Sequence, residues 1–375
     1  MREILIKPDI HKFTNFEEFA QEFQIGKGDL VLTNEFIYEP FMKASNLDCV
    51  YVFQEKFGTG EPTEEMIEEL LAYVDQYEFN RVVAIGGGAI LDLGKLVALE
   101  RTGSVHDLYF KKCEVVRNKE IIAIPTTCGT GSEVTNISVA IVKDEAGKVT
   151  KLGLVSNILI PDYICLIPDL VKTLPYYPFA TASIDALIHA VESYLSPTRA
   201  TRTSELFGIK AMELILEGFR RIGEDGPDAR LDYLDEFVTA SLYAGIAFLQ
   251  AGCATVHALS FPLGGVYLVP HGEANYALFG KVLEKYDEID PNGKIMDFKE
   301  LIARILKCDI SESLQKLAEL EEKIIPLKPL REYGFTEEDI ETFADSVLLN
   351  QQRLVVNSYI PLSRELIVQI YTELY

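Results

Sequence analysis

The chain has 375 residues, 48% of them hydrophobic and 25% charged, the composition of a globular protein with room for two cored domains. Its formal net charge of -23 argues against partners bound through phosphate, whether nucleic acid or an anionic membrane surface. A small anionic substrate stays open, because the local charge of a pocket can oppose the net charge.

The opening stretch, Met1-Arg-Glu-Ile-Leu-Ile-Lys-Pro-Asp9, has no apolar run of signal-peptide length, and no segment approaches the roughly 18 apolar residues of a membrane span. The six cysteines (Cys49, Cys113, Cys128, Cys165, Cys253, Cys308) show no CxxC spacing. Reduced thiols in a cytoplasmic protein are the expectation, with Cys253 a core residue.

Residues 1–175 alternate short apolar runs with helical ones. Asp29–Thr33, Cys49–Phe53, Arg81–Ile85 and Glu120–Pro125 read as buried parallel strands. Glu35–Ala44, Thr63–Tyr77 and Ala89–Arg101 read as the helices between them, the second opening with acidic residues in its first turn. Asn136–Val142 and Val149–Val155 read as an antiparallel hairpin. The pattern predicts a doubly wound, mostly parallel α/β domain.

Two loops in this half suit a nucleotide. Strand Arg81–Ile85 runs into Gly86, Gly87 and Gly88 and then into a helix. Bare backbone before a helix N-terminus admits phosphate to free N–H groups, although a tight turn explains a glycine triplet equally well. Strand Glu120–Pro125 ends in Thr126-Thr-Cys-Gly-Thr-Gly-Ser132. Its hydroxyls suit phosphate, ribose or a carboxamide, and two such loops on one sheet imply a dinucleotide.

From about residue 176 to 375 the periodicity is helical almost throughout. The expected helices are Phe179–Leu195, Arg202–Arg221, Leu231–Gln250, Asn275–Tyr286, Asp297–Leu306, Ile310–Ile325, Thr336–Leu348 and Arg364–Leu374. The domain boundary is expected near Leu174-Pro175, with ligands between the halves. In the first of these helices Asp185 and His189 stand four apart and share a face. His257 and His271 follow downstream, and a helical break at Pro262, Gly264 and Gly265 is expected to let both converge on the pair. One oxygen and three nitrogens suit Fe(II) or Zn(II). The alternative on residue types alone is that these histidines are satisfied core groups and that Asp185 merely pairs with His189.

The motifs together carry a resemblance. Gly86-Gly-Gly-x-x-x-Asp92, Pro125-Thr-Thr-x-Gly-Thr-Gly-Ser-Glu-Val-Thr135, Asp185-Ala-Leu-x-His189, and His257 with Pro270-His271-Gly272 are similar to the iron-containing (group III) alcohol dehydrogenases, in order and over almost the whole chain. Gln21–Phe36, Lys328–Gly334 and Glu341–Ser346 resemble its 4-hydroxybutyrate dehydrogenase branch from anaerobic bacteria. The resemblance implies an architecture shared with dehydroquinate synthase: a dinucleotide domain (1–175) followed by an all-helical domain that binds metal and substrate (176–375). It implies hydride transfer between NAD(H) and 4-hydroxybutyrate or succinate semialdehyde. Asp185, His189, His257 and His271 would hold iron, or zinc in its place, and act in catalysis through it. Gly86, Gly87, Gly88, Asp92, Thr126, Thr127, Thr130, Ser132 and Lys151 would contact the cofactor.

Three positions depart from the family's pattern. Phe261 stands where many members have a histidine proposed to move the proton. Asn34 stands in the cofactor site where many NAD-preferring members have aspartate, which leaves NADP open. Ala89 replaces a serine after the glycines. A four-carbon acid also needs a cation for its carboxylate, and Arg353 is the candidate. The expected partners are a small-molecule substrate and a second copy of the chain. Three other readings remain: an iron-type dehydrogenase for another small primary alcohol, a metal- and NAD-using lyase of the dehydroquinate synthase type, and a non-catalytic protein that binds metal and nucleotide.

Overall fold

The computed structural model describes residues 7–145, 147 and 149–375. The chain divides into two compact units at Leu174–Pro175. The first contains the strands β1 (Asp9–Lys12), β2 (Asp29–Thr33), β3 (Val50–Phe53), β4 (Arg81–Gly86), β5 (Glu120–Pro125), β6 (Ile137–Lys143), β7 (Val149–Val155) and β8 (Tyr163–Leu166). Its helices are α1 (Phe16–Glu22), α2 (Glu35–Phe41), α3 (Glu64–Val74), α4 (Gly88–Val97) and α5 (Val105–Tyr109).

Six strands form one parallel sheet in the order β1-β8-β5-β4-β2-β3, and β6 pairs with β7 as the antiparallel hairpin. The strands are apolar on both faces because both faces are covered. Leu30, Leu32, Val82, Ala84, Ile121 and Ala123 enter one core, while the alternate residues Val31, Val83, Ile85, Ile122 and Ile124 enter another. Period-two alternation of side chains thus feeds two cores from one run of sequence. The short strands β1 and β8 and helix α1 are additions to the elements expected from sequence. β1 and β8 have only four residues each, too few for a periodicity to show.

The second unit holds α6 (Tyr176–Leu195), α7 (Arg202–Asp225), α8 (Leu234–Ala251), α9 (Thr255–Tyr267), α10 (His271–Ile289), α11 (Lys294–Leu306), α12 (Ser313–Ile324), α13 (Glu337–Asn350), α14 (Gln352–Val355) and α15 (Arg364–Leu374). No strand occurs here among the described residues. Helix α6 is buried along nearly its whole length and on all sides, so it is a central helix of this unit. Among the described residues no single helix is long and apolar enough to cross a membrane.

One local expectation is corrected. Helix α9 runs unbroken through Pro262, Gly264 and Gly265. Proline in a helix removes one backbone donor, a loss that packing of the surrounding apolar residues evidently outweighs here. The turn toward His271 comes instead at Leu268, which adopts a left-handed conformation (φ 55°), and at Pro270, which precedes the first residue of α10.

Glu321 on α12 is buried, with one carboxyl oxygen unpartnered, and burial pushes its carboxyl up to about 8. The folded chain therefore keeps this proton where an unfolded chain, titrating near 4.5, has lost it. The folded state binds more protons in that window, so stability falls as pH rises from about 4.5 to about 8. Glu321→Gln is expected to raise the melting temperature by several degrees more at about pH 8.5 than at about pH 5. Equal shifts at the two pH values would contradict this account of the carboxyl.

Candidate functional site

The four metal-ligand candidates lie together in the helical unit. Asp185 and His189 are one turn apart on α6, His257 is in the first turn of α9, and His271 is the first residue of α10. One donor atom from each lies within 4.8 Å of the others. His189 Nδ1 is 3.9 Å from Asp185 Oδ2, and the Nε2 atoms of His257 and His271 are each 3.9 Å from Asp185 Oδ1. These separations are too long for hydrogen bonds. They suit groups sharing an ion, since ligands about 2.1 Å from a tetrahedral centre lie about 3.4 Å apart.

Two further observations test the fit. His189 Nδ1 is buried and has no hydrogen-bond partner, a state that costs free energy unless something fills it. The site also favours positive charge. Burial works against the Asp185 carboxylate, yet the imidazoles of His189, His271 and His257 hold it below the usual carboxylate range. His257 is drawn well above the usual imidazole range, against its burial, by Cys253 and Glu192. A pocket that pulls a proton onto imidazole is one that a divalent cation would occupy in the proton's place.

Close packing sets these positions. Gly272 lies where a Cβ would collide with the Thr181 carbonyl oxygen, so only glycine lets α10 lie against α6 and bring His271 to Asp185. His189 stacks on Phe248 at 4.5 Å and on His257 at 4.7 Å between ring centroids. Asp185, His189 and His257 are buried, while the His271 side chain is 36% exposed and marks the open side of the cluster.

Three residues around the cluster were not singled out from sequence, or were read differently. Glu192, one helical turn beyond His189 on α6, is buried and spends both oxygens on the segment bearing His257. It accepts from the backbone N–H groups of Ala254 (2.9 Å) and Val256 (2.6 Å) and pairs with His257 Nδ1 at 2.7 Å. A carboxylate can only accept, so Nδ1 carries a proton in either charge state of the ring, and Nε2 is the nitrogen a cation would bind in place of a proton. Asn275 donates its amide to Asp185 Oδ1 at 2.7 Å and lies 3.1 and 3.3 Å from Nε2 of His257 and His271. Its own oxygen accepts from Ser260 at 2.5 Å. Cys253, expected in the core, stands beside the ligands: burial raises its thiol, but His257 and His189 outweigh burial and bring it to about 7. A signal for Glu192 was present in the sequence, an acid seven residues after Asp185 on a helix otherwise apolar on that stretch.

In the sheet unit the two loops meet. A Cβ on Gly87 would stand 3.3 Å from the Thr127 methyl, and one on Gly88 2.8 Å from that of Thr130. Thr126 is buried and its N–H binds the Gly86 carbonyl at 3.0 Å, while Thr127 and Thr130 are half-buried. Asp92 and Ser132 are joined to each other at 2.5 Å, and Asp92 also accepts from Val139 N at 2.8 Å. The fully buried Lys95 ammonium reaches Ser132 Oγ at 2.8 Å and the Ile137 carbonyl at 2.6 Å. Asp92, Ser132 and Lys95 thus fasten the glycine loop to the threonine loop. Lys151 on β7 pairs with Glu61 at 2.6 Å. Asn34 follows β2 and donates to Gln54 and Glu55. In the helical unit Arg353 is exposed on α14 and makes no hydrogen bond or ion pair among the described residues.

Comparison with known proteins gives the family and the fold. The profile for iron-containing alcohol dehydrogenases matches residues 10–168, and that for the C-terminal part of the Fe-containing alcohol dehydrogenase family matches residues 179–375. The chain is 50% identical over 375 residues to 4-hydroxybutyrate dehydrogenase from Clostridium kluyveri, with 100% of both chains covered. It is 34% identical over 323 residues to long-chain-alcohol dehydrogenase 1 from Geobacillus thermodenitrificans, covering 83% of this chain and 79% of that one. The crystal structure of 1,3-propanediol oxidoreductase superposes with a TM-score of 0.85 at 24% identity over 100% of both chains, a likeness of fold. The chain belongs to the iron-containing alcohol dehydrogenase family.

Glu192→Gln is expected to weaken divalent-metal affinity by about 10- to 100-fold, and to lower the melting temperature of the metal-free protein because one oxygen that accepts from buried N–H groups becomes a donor. Competition with a chelator measures it. Unchanged affinity would reduce Glu192 to a packing group.

Proposed function

We propose that this enzyme transfers a hydride reversibly between 4-hydroxybutyrate and NAD+, giving succinate semialdehyde, NADH and a proton. The observation that carries the reading is full-length identity of 50% to a 4-hydroxybutyrate dehydrogenase, in a chain whose four ligand residues come together. When bound, Fe(II) at the cluster supplies a Lewis acid for the alcohol or carbonyl oxygen and the nicotinamide supplies the hydride acceptor.

The chain's own residues supply the rest. Asp185, His189, His257 and His271 hold the cation, and Glu192 keeps His257 in the tautomer that binds it. Phe248, stacked on His189, keeps water from that side of the cluster. The glycine and threonine loops receive the nucleotide, with Thr127 and Thr130 offering hydroxyls and Lys95 holding the loops together. Phe261 carries no ionisable group, so the proton leaves by water or a ribose hydroxyl rather than through a side chain at that position.

The substrate carboxylate requires a cation, for which the reading takes Arg353. A second candidate is Lys328, which pairs at 2.8 Å with Glu273, two residues beyond His271. Glu273 also accepts from Tyr333 at 3.1 Å and from Tyr177.

Protein prepared without air and loaded with Fe(II) or Zn(II) is expected to form NADH with 4-hydroxybutyrate faster than with uncharged primary alcohols. Activity confined to uncharged alcohols would refute the substrate, and no NADH with any alcohol would refute the dehydrogenase reading. Arg353→Ala is expected to raise KM for 4-hydroxybutyrate about tenfold while sparing that for 1-butanol, the scale of one lost charge-assisted contact. The same selective change in Lys328→Ala, with Arg353→Ala silent, would transfer the role to Lys328. His271→Ala is expected to lose bound metal and turnover together with the fold intact.

A further inference from the structure

The sheet has a topological switch point. From β2 the chain goes to β3 on one side and then returns to β4 on the other, so the crevice at the carboxyl ends of the strands lies between β2 and β4. Open α/β sheets bind their ligands there. The register brings particular residues to its rim. Leu32 pairs with Ala84, so two residues further along the neighbouring strands stand Asn34 and Gly86. Thr33 pairs with Phe53, so Gln54 and Glu55 follow on the far side of Asn34. With the nucleotide's phosphates on the glycine loop, its ribose falls beside Asn34.

The Asn34 amide is held in one orientation. Its nitrogen donates to Gln54 Oε1 at 3.3 Å and to Glu55 Oε1 at 3.1 Å. Gln54 is itself oriented by its amide nitrogen, which donates to the Gly60 carbonyl at 3.1 Å. Flipping Asn34 would set its oxygen against two acceptors, and a carboxylate cannot turn into a donor. The Asn34 oxygen is therefore the atom left for a ligand. Glu55 Oε1 also accepts from the backbone N–H of Glu35 at 3.1 Å, while its second oxygen is buried without a partner. Its negative charge is thus fixed directly behind Asn34.

We propose that Glu55 makes this site selective for NAD(H) over the 2′-phosphorylated nucleotide, acting as a positioning residue through Asn34. Held by Glu55, Asn34 offers an acceptor to the ribose 2′-hydroxyl and behaves as an aspartate would. A 2′-phosphate, which brings acceptors and negative charge, meets an acceptor backed by a carboxylate and is repelled. The proposal rests on the nucleotide-binding part of the function above and deepens it.

Calorimetric titration of the full-length protein with NAD+ and with NADP+, without substrate, tests it apart from turnover. The wild-type protein is expected to bind NAD+ the more tightly. Glu55→Gln removes the charge and puts a donor as well as an acceptor beside the Asn34 amide, so the ratio of the two dissociation constants is expected to narrow about tenfold, mainly through tighter NADP+. In an Asn34→Ala background Glu55→Gln is expected to change the ratio far less than tenfold, because Glu55 acts through Asn34, whereas a merely structural role for Glu55 would give the same change in both backgrounds. An unchanged ratio in Glu55→Gln, or equal binding of both nucleotides by the wild-type protein, would overturn the proposal while leaving the dehydrogenase reading in place. Failure of either nucleotide to bind would overturn both. Should Glu55→Gln lower the melting temperature, the double variant still decides through its ratio.

Discussion

Two carboxylates buried on one apolar helix are the constraint around which the helical unit is arranged. Asp185 and Glu192 both sit on α6, both nearly inaccessible to water, and neither has a lysine or arginine partner among the described residues. Burying an ionised carboxylate costs several kcal/mol unless it is compensated. The compensation is local and specific: Glu192 takes two backbone N–H groups and an imidazole N–H, and Asp185 takes the Asn275 amide and faces three imidazoles. Removing any one donor leaves negative charge in an apolar interior. The same imbalance that burdens the fold makes the place attractive to a cation.

That economy links stability to function. Glu192 restrains the first turn of α9 and at the same time selects the tautomer of His257, so one side chain sets both backbone and ligand. Gly272 does the corresponding work by having no side chain, since any Cβ would push α10 off α6 and carry His271 away from Asp185. In the sheet unit the fastening is again a buried charge. Lys95 draws Asp92, Ser132 and the start of β6 together, and burial, which lowers its affinity for a proton, is opposed chiefly by Asp92. The two loops proposed to receive a nucleotide are thus fastened from behind by side chains of α4.

Much of this was legible from residue order because the signals were local. The strands β2, β4 and β5 were readable as continuous apolar runs, and their double-sided burial in two cores is the reason. Asp185 and His189 could be paired because a helix places residues four apart on one face. The route from His257 to His271 was not readable. Pro262 and two glycines suggested a break that the helix does not make, since tertiary packing overrides local preference and the actual turn depends on Leu268 adopting a left-handed conformation. Asn34 gave the opposite kind of difficulty. As a residue type it blurred the choice between NAD and NADP, and only its neighbours Gln54 and Glu55, some twenty positions away, define what it presents.

Residue order alone determined the class of fold, the placing of Asp185 and His189 on one helix face and the two loops at strand ends, because periodicity and spacing act over a few residues and need no knowledge of what lies across the core. Tertiary structure alone decided which partners those residues have: Glu192 behind His257, Asn275 beside Asp185, Ser132 bound to Asp92, Glu55 behind Asn34. Hydrogen bonds and buried charges are satisfied by whatever group the fold brings within about 3 Å, and that proximity is a property of packing between elements distant in the chain.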